Sequence, residues 1–235
     1  MVKSPKLDDA ASYNIQLGLA YLKQGDRVRA KKKLFLALKQ APTSPTVNTA
    51  MAYFMEHSGE KTEALQYYQK AMASAPGAGA ELNNYGAFLC RQGQYKQADL
   101  YFMKAVSDKT YDHTAGAYEN AGLCALAMPN RVLASRYFLK ALSHDPTRSQ
   151  SLYELVQNEI KQQHFHEALH DIEQYATLVR SDRTLLVLAE HLAEEVGNAT
   201  LKVAYQQQLA AMDNTDPNFS DKTGETNEYN SNNNG

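Results

Sequence analysis

Residues 17–42 read LGLAYLKQGDRVRAKKKLFLALKQAP, and six of them set a register that the rest of the chain repeats. Leu17, Gly18 and Tyr21 come first, Ala30 and Leu34 follow, and Pro42 closes the stretch. One period later the same slots hold Met51, Ala52, Met55, Ala64, Tyr68 and Pro76. The next copy supplies Tyr85, Gly86, Leu89, Ala98 and Phe102. After a slip around His113 and Thr114 the register resumes as Ala121, Gly122, Ala125, Ala134, Phe138 and Pro146. A fifth copy gives Leu155, Val156, Ala168 and Ile172, and from Arg183 a sixth helix pair follows, with Gly197 in its turn and Lys202 in place of alanine.

A Leu-Gly-x-x-Tyr core, an Ala-x-x-x-Phe core and a closing proline on a 34-residue period are the tetratricopeptide pattern of paired helices. Each slot has a physical reason. A small residue at Gly18, Ala52, Gly86 and Gly122, facing an alanine of the second helix, lets two helices approach closely. The large residue at Leu34, Tyr68, Phe102, Phe138 and Ile172 fills the space between one pair and the next. Gly25, Gly59, Gly93 and Gly197 fall in the turn inside a pair, and Pro42, Pro76 and Pro146 stop the second helix. The expected fold is therefore all-α, a right-handed superhelix of about six repeats near residues 11–44, 45–78, 79–112, 115–148, 149–182 and 183–212. Residues 1–10 form an N-terminal segment. Residues 213–235, rich in Asn, Thr, Asp and Ser, read as a disordered polar tail because they offer too little apolar surface to offset ordering.

Composition narrows the function classes. A formal net charge of -2 with mixed signs gives no overall electrostatic reason to expect nucleic acid. No apolar run reaches the roughly 18 residues of a membrane-spanning helix, and Met1 to Asp9 lacks the apolar region of a signal peptide. Two cysteines, Cys90 and Cys124, are too few for a disulfide framework and lack zinc-ligand spacing. No phosphate loop or nucleophile elbow occurs, and no cofactor is expected.

Stacked helix pairs present a concave wall of first helices to an extended or helical partner segment. Its lining is expected to include Ile15, Leu19 and Leu22, then Thr49 and Tyr53, then Asn83, Ala87, Arg91, Glu119 and Leu123, and finally Tyr153 and Gln157. The tetratricopeptide clamp for a C-terminal carboxylate needs lysine and asparagine near the positions of Ile15 and Leu19. Aliphatic side chains stand there instead, so the N-terminal groove suits an apolar segment. The alternative is that Ile15 and Leu19 pack beneath a capping segment from Pro5 to Ala11. A rival enzymatic reading starts from His166-Glu167-Ala168-Leu169-His170, which matches the zinc-protease motif H-E-x-x-H, with Glu190 as a third ligand. Ala168 already serves as the close-approach alanine of the fifth repeat, so the stretch is accounted for as the start of a second helix and no metal is expected.

The string LNNYGAFLCRQGQYKQA from Leu82 to Ala98, the Asp-x-x-Tyr connector from Asp108 to Tyr111, and the Asn-x-Gly-x-Cys segment from Asn120 to Cys124 go beyond repeat consensus. In these the chain resembles the PilF/PilW family of type IV pilus biogenesis lipoproteins, the pilotins. The resemblance covers roughly residues 10–212 and is densest in the third and fourth repeats. It implies a periplasmic scaffold without catalysis, held to the outer membrane by an N-terminal lipid, that helps the pilus secretin reach that membrane and assemble there. The lipidated cysteine and its signal peptide are not among these residues, so a trimmed N-terminus is expected. An envelope adaptor for another complex is the alternative. In the oxidising compartment so implied, Cys90 and Cys124 form either a disulfide, which some members of the family have at these positions, or a pair of buried thiols.

Overall fold

The computed structural model describes residues 5–215, which form thirteen α-helices and no strand. They fall into two compact units that divide after His144.

The first unit holds four helix pairs. They are α1 (Pro5–Lys23) with α2 (Arg27–Gln40), α3 (Pro45–His57) with α4 (Lys61–Ser74), α5 (Gly79–Arg91) with α6 (Tyr95–Ser107), and α7 (Thr114–Ala127) with α8 (Arg131–His144). First helices also pack on first helices, α1 on α3, α3 on α5 and α5 on α7, which makes one row of them. The register residues sit where close approach requires. Ala30, Ala64, Ala98 and Ala134 are fully buried, as are Leu34, Phe102 and Phe138. A Cβ added at Gly18 would lie 2.6 Å from Leu34 Cγ, and one at Gly122 would lie 2.6 Å from Phe138 Cε1. Only glycine fits between these helices. α2, α4 and α8 each end two residues before Pro42, Pro76 and Pro146, as expected of a residue that disfavours helix in its predecessor.

The slip between the third and fourth repeats has a structural cause. Asp108, just past α6, accepts hydrogen bonds from the Gly79 N–H (2.8 Å) and from the N–H and hydroxyl of Thr110 (2.9 and 2.8 Å). Tyr111 then lies over Gly79, where a Cβ would come within 2.5 Å of the ring's Cγ. The Asp-x-x-Tyr connector thus ties the end of one pair to the start of the preceding first helix, and the added length carries the chain round to α7. Between the same two repeats, Cys90 on α5 and Cys124 on α7 are joined by a disulfide, with their Cα atoms 5.9 Å apart.

The second unit comprises α9 (Ser149–Lys161), α10 (Phe165–Gln174), α11 (Ala176–Ser181), α12 (Arg183–Glu195) and α13 (Ala199–Thr215). The second helix of the fifth repeat is broken, a feature the repeat pattern does not anticipate. Tyr175 leaves helical geometry (φ -102°, ψ 28°), and the chain resumes as α11, whose buried Val179 belongs to an element packed on α12. The glycine of the inner turn is replaced here by Gln163, which keeps a positive φ of 61°, close to that of Gly197 (68°) in the next repeat. α13 has no fully buried residue, in keeping with a terminal repeat facing water.

Two expectations at the chain ends change. Pro5 to Ala11 is not a separate cap over Ile15 and Leu19, because these residues are the opening turns of α1 itself. The polar stretch from Asp213 begins inside α13; residues 216–235 lie outside the described residues, as do residues 1–4.

Candidate functional site

A cavity of about 880 Å³ opens in the first unit along the row of first helices. Helical spacing explains what lines it. On α1, Ile15, Leu19 and Leu22 recur at i, i+4 and i+7, so they share one face. On α3, Thr46, Thr49, Tyr53 and His57 do the same, and α5 adds Asn84, Ala87 and Arg91. Lys23 of α1, Ala50 of α3, Tyr68 of α4 and Asn120 of α7 complete the wall. Ile15 is also part of the core cluster around Leu34 and Met51, with Leu19 and Leu22 packed against it. The apolar end of the groove is therefore a rigid extension of the core.

The other end is polar and internally paired. Arg91 donates from Nε to Glu56 Oε1 (2.7 Å) and from Nη2 to Glu56 Oε2 (2.8 Å), a bidentate link between α5 and α3. That hydrogen bonding raises the affinity of the Arg91 guanidinium for its proton. The Tyr68 hydroxyl points at Glu56 Oε2 across 3.5 Å, and burial, reinforced by the Glu56 carboxylate, pushes its pKa well above the ordinary phenolic value. Tyr53 is 40% exposed and packs against His57 with centroids 4.0 Å apart and the rings tilted by 43°, while His57 Nδ1 lies 2.9 Å from the Tyr53 carbonyl oxygen. The groove thus runs from aliphatic side chains, past a tilted aromatic pair, to a guanidinium already neutralised by its own carboxylate. It can take an apolar segment. Its lining cations are Lys23 and the Glu56-paired Arg91, which do not make the cluster of free cations a terminal carboxylate needs.

Of the residues expected from sequence, the structure gathers Ile15, Leu19, Leu22, Thr49, Tyr53, Ala87 and Arg91 in this cavity. Asn83 is not among them: its Oδ1 accepts from Asn120 Nδ2 at 3.1 Å, and Asn84 takes its place in the lining. Glu119 and Leu123 also lie outside the lining. Tyr153 and Gln157 belong to α9, where Gln157 Nε2 donates to the Tyr153 hydroxyl at 3.3 Å. Sequence reading missed His57, which lies one further turn along the face of Thr46, Thr49 and Tyr53.

The zinc-protease motif does not form a centre. His166, Glu167 and His170 are exposed on α10, and Glu190 accepts a hydrogen bond from Gln206 at 2.7 Å. Among the described residues, no group of three or more His, Cys, Asp or Glu side chains is placed to hold a metal ion. No described helix is long and apolar enough to cross a membrane.

No protein-family model matches the chain. It is 37% identical over 135 residues to the type IV pilus assembly protein PilF of Pseudomonas aeruginosa, a match covering 57% of this chain and 54% of that one. An uncharacterized protein of Haemophilus influenzae is 34% identical over 116 residues, 49% of this chain and 65% of its own. The chain thus spans roughly half to two thirds of the curated relatives it matches. The solved structure of Pseudomonas aeruginosa PilF superposes with a TM-score of 0.68 at 28% identity, covering 92% of this chain and 97% of that one. The structure of PilW, a type IV pilus biogenesis factor, has the same TM-score at 24% identity, covering 89% and 96%, and shows likeness of fold. The chain is homologous to PilF, and its fold is that of tetratricopeptide repeat proteins.

Proposed function

We propose that this homologue of PilF is a tetratricopeptide scaffold of type IV pilus biogenesis that acts without catalysis, as a pilotin. In this reading it works at the periplasmic face of the outer membrane, held there by a lipid on its native N-terminus. It binds the pilus secretin and helps it reach that membrane and form its multimer. The observation that carries the proposal is the groove of Ile15, Leu19, Leu22 and Tyr53, an apolar, core-anchored surface on a chain homologous to a type IV pilus assembly protein. A hydrophobic partner segment laid into it would bury apolar surface on both sides, the dominant favourable term in association.

The test is co-purification of secretin with wild type and with Leu19→Glu. A carboxylate at that position would have to be desolvated beneath the partner, which is expected to abolish co-purification, a loss of at least about a hundredfold in affinity. Circular dichroism is expected to stay helical, because Leu19 is only half-buried. Undiminished binding by a folded Leu19→Glu chain would refute the groove assignment.

A further inference from the structure

α2 carries Arg27, Arg29, Lys31, Lys32, Lys33 and Lys39, a quarter of the chain's 24 lysines and arginines, and no acidic residue. Its inner face is Ala30, Leu34 and Ala37, fully buried. The opposite face follows from helical spacing: Val28, Lys32, Phe35 with Leu36, and Lys39 recur at i, i+4, i+7 and i+8, and i+11. All five are exposed, Val28 at 82% and Phe35 and Leu36 at 40% each. Arg29 is paired with Asp26, and Arg27 donates to the His57 carbonyl. Lys32 and Lys39 have no acidic partner among the described residues. None of this outer face lines the groove.

Three apolar side chains in water and two unpaired cations on one ridge each cost the free protein something, so a single surface that accepts both is the informative fit. A duplex or single strand would use the lysines and leave Val28, Phe35 and Leu36 against phosphates. An acidic peptide would need a groove to seat its apolar residues, and one exposed helix face is a ridge. The interface of a bilayer with anionic headgroups takes both kinds of side chain at their proper depths. Apolar groups enter the acyl boundary, and lysine stems reach back to the headgroups. We propose that the outer face of α2 docks on an anionic bilayer surface, with Val28, Phe35 and Leu36 at the acyl boundary and Lys32 and Lys39 at the headgroups. Because the groove uses other residues, a partner segment and a membrane can be held at once.

The full chain is to be sedimented with phosphatidylcholine vesicles and with vesicles containing roughly one third phosphatidylglycerol, at about 50 mM and about 300 mM salt. Binding is expected on the anionic vesicles, weakened by salt, and close to none on phosphatidylcholine alone. Lys32→Gln/Lys39→Gln is expected to lower the partition about twenty-fivefold, from about fivefold per cation near an anionic surface. Phe35→Ser is expected to lower it about tenfold. Both substitutions are on the exposed face, and helical circular dichroism checks that they leave the fold intact. Equal partition onto both vesicle types, or an unchanged partition in the lysine variant, would overturn the proposal. So would an undiminished Phe35→Ser chain that binds soluble polyglutamate as well as vesicles, since that assigns the face to acidic polypeptides. Leu19→Glu is expected to partition like wild type, so failure of this inference and failure of the groove reading give different results.

Discussion

Glu159 of α9 and Asp171 of α10 are both buried in the second unit, and their carboxyl groups interact. The Oε2 atom of Glu159 has no hydrogen-bond partner. Burial, joined by the neighbouring Asp171 and then Glu167, pushes the Glu159 carboxyl up to about 8, from an ordinary value of 4.5. Asp171 is also raised by burial, with His170 pulling the other way. The pair therefore holds a proton near neutrality, and Tyr175, whose own pKa is raised first by burial and then by Asp171, faces it from the end of α10. The unfolded chain releases that proton above about pH 4.5, so between about 4.5 and 8 the native state binds more protons and rising pH favours unfolding. Stability of the second unit is expected to be highest in mild acid and to decline across that window. Thermal melts from pH 5 to 9 check it: Glu159→Gln, which supplies a permanently neutral partner for Asp171, should flatten the decline. A wild-type melting temperature that rises with pH in this range contradicts the assignment.

Between elements, the disulfide from α5 to α7 is the strongest covalent constraint within the described residues. Its two cysteines are 34 residues apart in sequence, and closing a loop of that length stabilises by about 3–4 kcal/mol through the unfolded chain. Cys90→Ser/Cys124→Ser is expected to lose that amount in urea unfolding. Reductant should do the same to wild type and nothing to the double variant, and two free thiols per unfolded, untreated chain would mean the bond is absent. How far such features can be read in advance depends on helix phase. The pairing of elements was legible because a buried alanine tolerates nothing larger, so Ala30, Ala64, Ala98, Ala134 and Ala168 mark the first five pairs. The groove was only partly legible. One residue turns a helix face by about 100°, so Asn83 and Asn84 are equally good guesses until α7 supplies Asn120 as a partner for one of them. The break at Tyr175 left no glycine or proline in the text. The Asp108–Gly79 tie needs a contact between residues far apart in sequence, which no local pattern encodes.

At the scale of the whole chain, each of the two compact units carries a different removable constraint. The disulfide lies wholly in the first, and the Glu159–Asp171 pair wholly in the second. Repeat proteins gain stability from intrinsic repeat terms and nearest-neighbour interfaces, so a constraint acts most strongly on the repeats that contain it. Amide hydrogen exchange can separate the two. At mildly acidic pH, reductant is expected to speed exchange in α5 to α8 while leaving α9 to α13 near their starting rates. Raising the pH through about 8 with the disulfide intact is expected to reverse the pattern, once the chemical pH dependence of exchange is divided out. The first outcome follows from the α5–α7 link, which closes the step between the third and fourth repeats. The second follows from the acid pair, which lies between α9 and α10 and loses the proton held on Glu159. Uniform acceleration of all helices under either treatment would mean that the chain opens as one cooperative body, and the division at His144 would then have no energetic meaning.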